Sequence, residues 1–185
     1  MNRCYADKAD IRKRIAYQDL MGSRVTLETQ RLVLTKASWR DALFVFRLIG
    51  NETVRQHLGG AVPVRRRLSV VRSYLNVGPS ELVWIVKIRK DPPPAGLISV
   101  TKHKDGQEFE LSYQFHPSAW GRGYAFEAAS AALRFVREER GLLRLIAETQ
   151  VANVASCRLL ERLGMSEQLR LMRYGEEQAI YLTDL

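Results

Sequence analysis

Cysteine is scarce in this sequence: 185 residues hold two, Cys4 and Cys157. Two thiols so far apart supply neither a disulfide framework nor the paired spacing of a cysteine metal centre. The expectation is a reduced protein of the cytoplasm with no bound metal. Long apolar runs are missing as well. No stretch approaches the ~18 consecutive apolar residues of a membrane-spanning helix, so no membrane partner is expected. Residues 1–17 carry Arg3, Asp7, Lys8, Asp10, Arg12, Lys13 and Arg14 in place of the apolar core of a secretory leader. There is no internal repeat and no low-complexity segment. What remains is ordinary globular material, 46% hydrophobic and 26% charged, at a length that suits one domain. The formal net charge of +9 draws anions towards the surface. Nucleic acid, membrane phosphate or a phosphorylated cofactor would each answer it. Neither a basic run interleaved with aromatics nor a helix-turn-helix pattern supports nucleic acid.

Residues 1–23 read as a polar extension, with Ile11, Ile15 and Leu20 on one side of a short helix, and a folded domain is expected over 24–185. A strand is expected at 31–35, extended backwards through Val25 and Leu27. Ser38 and Asp41 have the spacing of a capping box, ahead of a helix carrying Ala42, Leu43, Phe46 and Ile49 that Gly50 stops. Further helices are expected at 52–58 and 64–75, the latter with Leu68, Val71 and Leu75 opposite Arg65, Arg66, Arg67 and Arg72. Strands at 82–88, 96–101 and 108–115 follow as an antiparallel meander. Its turns are expected at Asp91-Pro92-Pro93-Pro94, since proline cannot donate to a ladder, and at Asp105-Gly106. The pattern then changes. A helix is expected over 121–140, closed by Gly141, then a strand at 142–150 and a helix at 153–163 ended by Gly164. One or two strands close the chain, with a turn at Tyr174-Gly175-Glu176. The order implies a mixed α/β architecture with one crossover helix.

One segment carries chemistry. At 115–125 a strand runs into a loop with Gly121 and Gly123, and the loop opens a long helix. Glycines let a ligand approach the backbone closely. A helix N-terminus offers free N–H groups and a positive dipole end, which together suit phosphate. Arg122 adds a cation. A P-loop requires Lys-Ser/Thr after its second glycine, which is absent here; a dinucleotide fingerprint requires a third glycine where Phe126 stands.

Residues 120–125, Trp-Gly-Arg-Gly-Tyr-Ala, resemble the pyrophosphate loop of the GNAT superfamily, Gln/Arg-x-x-Gly-x-Gly/Ala. Gly123 and Ala125 match its fixed positions and Trp120 departs from the leading Gln/Arg. The longer His-Pro-x-x-Trp-Gly-x-Gly-Tyr-Ala is similar to the RimJ/RimL-like branch, which acetylates protein N-termini. Three further segments resemble that branch in order: Glu28-Thr29-Gln30-Arg31-Leu32-Val33-Leu34, Glu110-Leu111-Ser112-Tyr113, and Asn153-Val154-Ala155-Ser156 followed by Leu163-Gly164-Met165. The likeness covers roughly residues 26–185. It implies a GNAT-like fold: a central, mostly antiparallel twisted sheet flanked by helices, with one β-α-β crossover around a CoA site. The implied reaction transfers an acetyl group from acetyl-CoA to a primary amine, either a protein N-terminal α-amine or a small-molecule amine. A homodimer is plausible by the same likeness.

The resemblance also implies roles. Glu110 sits where many relatives carry the general base that takes the amine proton; a solvated strand carboxylate is its plain alternative. Backbone N–H groups near Phe115 and His116 would polarise the thioester carbonyl. Trp120, Gly121, Arg122, Gly123, Tyr124 and Ala125 would hold the pyrophosphate. Asn153 would bond the pantetheine arm, or cap a helix, a role asparagine favours. Many relatives protonate the leaving thiolate with a tyrosine where this chain has Leu160; Ser156 is the alternative acid, and a backbone-bonded serine its plain reading. Cys157 reads as buried. The Arg65, Arg66, Arg67 group would wall the acceptor side or form a solvated helix face. Two other functions are weighed: a nucleic-acid-associated protein, for instance one acting on an RNA-linked amine, and a catalytically silent acyl-CoA binder.

Overall fold

A computed structural model describes residues 25–89, 91–106 and 108–184. The polar extension at 1–23, its short helix and the domain boundary at residue 24 lie outside these residues. The strands are β1 (Leu27–Glu28), β2 (Leu32–Lys36), β3 (Leu82–Ile88), β4 (Asp91–Lys102), β5 (Phe109–Phe115), β6 (Arg144–Gln150), β7 (Ser166–Arg173) and β8 (Glu176–Asp184). They form one sheet in the order β1-β2-β3-β4-β5-β6-β8-β7. Every neighbouring pair is antiparallel except β5 and β6. Parallel neighbours require a crossover, and helix α4 (Tyr124–Glu138) lies between them in sequence. The expected mixed α/β fold with one such unit is therefore present.

Two apolar layers sandwich the sheet. On one face Leu32, Leu34, Trp84, Ile98, Leu111 and Leu145 pack with Ala128, Ala132 and Val136 of α4. The alanines bring α4 close to the strands, and Phe135 meets Trp84 edge-on with ring centroids 5.8 Å apart. On the other face Val83, Ile85 and Leu97 pack with helices α1 (Ala42–Leu48), α2 (Glu52–Arg55) and α3 (Val64–Leu75) through Val45, Val54 and Val71. Burying each such side chain contributes roughly 1.5–3 kcal/mol. Helix α5 (Val154–Arg162) follows β6 and puts Leu160 into the first layer.

The differences from expectation have local causes. Leu27–Glu28 folds back on β2 as a separate antiparallel strand and does not extend it. The Ser38–Asp41 capping box closes a 3₁₀ turn, Trp39–Asp41, that leads into α1. In α1 the buried residues are Val45 and Leu48, while Leu43 is exposed. In α3 only Val71 is buried and Leu68 faces out. The helix expected over 52–58 is one turn, Glu52–Arg55. Chain reversal in the meander comes before the prolines: Ile88 pairs with Asp91, and the register shifts between Val86 and Ile88. Such an irregularity lets proline sit in a strand, because a bulged residue needs no ladder donor. Helix α4 starts at Tyr124 and β6 at Arg144, later than expected. Two strands close the chain, joined as expected at Tyr174-Gly175, with Arg173 paired to Glu176. Both turn residues have positive φ, 57° and 81°, as a two-residue type I′ hairpin requires.

Candidate active site

The site begins where the sheet comes apart. β5 and β6 share a single register pair, Glu110 with Ile146. Beyond it the two strands diverge towards their C-terminal ends. A cleft of about 1240 Å³ opens there, lined by 110–115 on one side and 147–150 on the other. Crevices at the carboxyl ends of parallel strands are where α/β sheets bind ligands.

One end of the cleft is closed by the glycine loop. Gly121 and Gly123 have φ of 71° and 75°, and Gly123 is the N-cap of α4. Left-handed backbone is costly for residues with a Cβ, so both glycines serve the turn itself. The helix N-terminus, with its unpaired N–H groups, thus faces the cleft. The Trp120 indole N–H donates to the Phe115 carbonyl at 2.8 Å, tying the loop to the end of β5. His116 Nδ1 accepts from the Ser118 N–H and lies 2.8 Å from Ser118 Oγ, so it builds the 3₁₀ turn after β5. The His116 backbone N–H donates to Ala95 O at 2.8 Å and is not available to a ligand. Antiparallel donors alternate between the two edges of a strand. With 116 turned to β4, the register leaves the Phe115 N–H on the edge facing the gap.

Side chains of β5 alternate too. Leu111, Tyr113 and Phe115 join the layer beneath α4. Glu110, Ser112 and Gln114 point to the α1–α3 side, where Gln114 donates to the Tyr74 hydroxyl at 2.7 Å. Glu110 therefore stands at the fork and accepts from Ser112 Oγ at 3.2 Å. Burial pushes its pKa above the ordinary carboxylate value; His103, Ser112 and Lys104 oppose the rise and Glu148 adds to it.

Around the fork lies a charged cluster. His103, 2% exposed, puts Nε2 2.9 Å from Glu148 Oε2 and Nδ1 2.7 Å from Asp105 Oδ2. Lys104 and Arg173 also pair with Glu148, at 3.1 and 2.6 Å. Nearby, His57 Nδ1 meets Gln150 Oε1 at 3.1 Å. Neither pair was expected from the sequence.

On the α5 side Asn153 is the N-cap, its Oδ1 accepting from the Ser156 N–H at 3.2 Å. The buried Ser156 puts its Oγ 2.7 Å from the Tyr113 hydroxyl. Burial pushes Tyr113 up to about 12, against the effect of the Ser156 bond. Leu160 is buried in the core, so no side-chain acid stands at that position. Cys157 is half-buried, not buried as expected, and is free. Of the arginine group, Arg66 lines the cleft. Arg67 turns inward, donating to Val62 O at 2.7 Å and lying over the Phe46 ring. Among the described residues no His/Cys/Asp/Glu group could hold a metal ion, and no helix is long and apolar enough to cross a membrane.

Tyr113 is the residue most readily missed. It lies in the segment Glu110-Leu111-Ser112-Tyr113, and strand alternation alone separates it from Glu110 and turns it towards the helix after β6.

Comparison with known proteins identifies the family to which this fold and cleft belong. Residues 31–166 match the model of the Acetyltransferase (GNAT) domain. The chain belongs to this family and is an N-acetyltransferase by that membership. It is 25% identical over 142 residues to the Bacillus subtilis protein named Uncharacterized N-acetyltransferase YnaD, covering 77% of this chain and 83% of that one. The spermidine N-acetyltransferase of Vibrio cholerae, solved with CoA and spermine, superposes with a TM-score of 0.72 at 17% identity, over 84% of this chain and 96% of that one. RimL, a ribosomal L7/L12 α-N-protein acetyltransferase, also superposes at 0.72, with 13% identity, over 88% and 95% of the two chains. At such identities the two structures establish the fold alone.

Proposed function

We propose that the protein transfers the acetyl group of acetyl-CoA to a primary amine by direct attack, with a protein N-terminal α-amine as the preferred acceptor. One observation carries this reading: Glu110 stands partly buried at the fork of two diverging strands, and the glycine loop closes the same cleft. A base is useful near neutral pH when its pKa lies above the usual carboxylate range, and burial moves Glu110 that way. In this reading Glu110 takes the amine proton, directly or through water. The Phe115 N–H polarises the thioester carbonyl and stabilises the oxyanion. The tetrahedral intermediate collapses, the C–S bond breaks, and the Ser156 hydroxyl, hydrogen-bonded to Tyr113, gives its proton to the departing sulfur and regains one from solvent, while Glu110 releases the amine proton to solvent. The loop N–H groups of 121–125 bind the pyrophosphate, and Asn153 uses its Nδ2 donor on the pantetheine arm while Oδ1 caps α5.

The α-amine preference is supported by the sequence likeness to the RimJ/RimL-like branch and by RimL's fold. A small polyamine is the second reading, supported by the equal superposition of the spermidine enzyme. The test uses the purified full chain. Calorimetry with CoA should give saturable binding. Thiol release from acetyl-CoA should follow addition of acceptor, with higher kcat/KM for unblocked peptides than for spermidine. The reverse order would replace the peptide reading by the polyamine one. Binding without turnover on any amine would make the protein a silent acyl-CoA binder, and absence of binding would overturn the proposal.

A further inference from the structure

Arg31 stands between β1 and β2, far in sequence from the glycine loop, yet it bonds both to the loop and to the first turn of the helix that follows it. Its Nε donates to Glu127 Oε2 at 2.6 Å and its backbone N–H to Glu127 Oε1 at 2.9 Å. Thr29 Oγ1 donates to the same Oε1 at 2.6 Å. Nη1 donates to the Arg122 carbonyl at 2.9 Å. The guanidinium carbon lies 4.7 Å from the centre of the Tyr124 ring, and a Cβ on Gly123 would come within 3.5 Å of Nη2. One side chain thus touches the loop's central carbonyl, the ring of Tyr124 that opens α4, and the acid in the first turn of α4.

Two physical consequences follow. A turn binds an anion only while its N–H groups point one way and its carbonyls another. Arg122 is the middle residue of Gly-Arg-Gly, and rotation of the peptide after it would present a carbonyl oxygen where the Gly123 N–H should be. The Arg31 bond fixes that carbonyl. Glu127, moreover, lies in the first turn of α4, where an unpaired carboxylate would satisfy the helix dipole itself and repel a phosphate. Three donors on one carboxylate, one of them charged, hold it in place and balance its charge. Burial alone would raise its pKa, but the bonds from Thr29 and Arg31 outweigh burial and lower it, so the carboxylate stays ionised and engaged.

We propose that Arg31, with Thr29 and Glu127, is a positioning clasp for the CoA pyrophosphate: it sets the shape of the 121–123 turn and screens Glu127 from the bound phosphates without touching the reacting atoms. This rests on the acetyltransfer reading. It also gives the segment Glu28-Thr29-Gln30-Arg31-Leu32 a role that strand propensity does not.

The test compares wild type with Arg31→Met, Arg31→Lys and Arg31→Met/Glu127→Gln. Each is measured for melting temperature, for binding of CoA, and for kinetics with acetyl-CoA and with acetyl-pantetheine, a donor that lacks the pyrophosphate. Arg31→Met should weaken CoA binding and raise KM for acetyl-CoA about tenfold, the factor for ~1.4 kcal/mol. It should leave kcat within twofold and KM for acetyl-pantetheine unchanged. Arg31→Lys should recover part of the affinity by pairing with Glu127. The double variant should recover part by removing the unpaired acid. Equal losses with both donors, or a lower melting temperature with CoA affinity unchanged, would overturn the clasp and leave the acetyltransfer reading intact. A wild-type protein that binds no CoA would overturn both.

Discussion

The two ends of the cleft are built in different ways. The donor end is made largely of backbone and of consecutive residues: the Phe115 N–H, the Trp120 tether, two glycines with positive φ, and the start of α4. The acceptor end is made of side chains gathered from distant elements: Glu110 from β5, Glu148 and Gln150 from β6, His57 after α2, Tyr74 from α3, Lys104 from the β4–β5 turn and Tyr174 from the β7–β8 turn. A backbone site tolerates few residue types and is reused with one ligand. A side-chain site can change one residue at a time. On the proposed reading the contrast divides the labour, with a fixed donor and an adjustable acceptor. Substitutions at the donor end should move acetyl-CoA parameters, and those at the acceptor end should move amine parameters and pH dependence.

The largest effect should come from the fork itself. Glu110→Gln removes the proposed base with little change in shape, and kcat/KM for the amine should fall roughly 10²–10⁴-fold while CoA affinity holds. Retained turnover in a steady-state thiol assay would remove Glu110 from the chemistry. A smaller loss is expected at the donor end. Gly123→Ala places a Cβ on a residue at φ 75°, a strain of roughly 1–2 kcal/mol. KM for acetyl-CoA should rise about tenfold and KM for the amine should stay put. If the amine constant moved instead, the division between the two ends would fail. Tyr113→Phe tests the junction between them. It deletes the hydroxyl 2.7 Å from Ser156, a bond worth about 0.5–1.5 kcal/mol. A drop in kcat of a few fold should follow, least for donors with a better leaving thiol. A uniform loss across donors would point to packing.

The same contrast explains what could be read from the chain. The proposed role of residues 115–125 is legible because each residue's neighbours in sequence are its neighbours in space. Gly121 and Gly123 are demanded by backbone angles, and the helix that follows shows its periodicity through Ala128, Ala131 and Ala132. Glu110 and Ser156 are suggested by resemblance, and both line the cleft. His103, Glu148 and His57 carry no local pattern, because their meaning comes from the order β4-β5-β6 in the sheet and from the placement of the segment after α2. Arg31 lay in a recognisable segment, but its contacts span 96 positions to Glu127 and no periodicity encodes them. In the meander, proline marks the turn in the sequence because its missing donor is a local fact. The register shift that accommodates it beside β3 is a tertiary one. The faces expected in and around α1 and α3 hold at Ile49 and Val71, which are buried, and at Ala42, Phe46 and Leu75, which pack against the same layer. Leu43 and Leu68 of the same set are exposed.

The smallest effect is expected at His103, and it is the most diagnostic of the acceptor end. Burial by itself would lower the pKa of this imidazole, but hydrogen bonds to Glu148 and Asp105, with Glu110 nearby, outweigh it and raise the value. The folded-state pKa then lies above the unfolded value near 6.5. The stability this cation contributes is fully present below that unfolded value and is lost as pH rises through the folded one. Glu148 runs the other way. Burial alone would raise its pKa, but bonds from His103 and Lys104 and the charge of Arg173 lower it. Its contribution is present above the unfolded value near 4.5 and is lost as pH falls through the folded one. Glu110 feels both neighbours: the His103 cation pulls its pKa down and the Glu148 anion pushes it up, on top of the rise caused by burial. His103→Gln keeps a hydrogen-bonding side chain and removes the charge. The acid limb of kcat/KM against pH should therefore move to higher pH, because Glu110 loses a cation that favours its ionised form. Thermal stability should also lose part of its decline on the alkaline side. At pH values well above the limb the rate should change by less than a few fold, since Glu110 is ionised there in both proteins. An unmoved limb would mean that the base feels no charge from this cluster, and the acceptor end would then owe its pH dependence to burial alone.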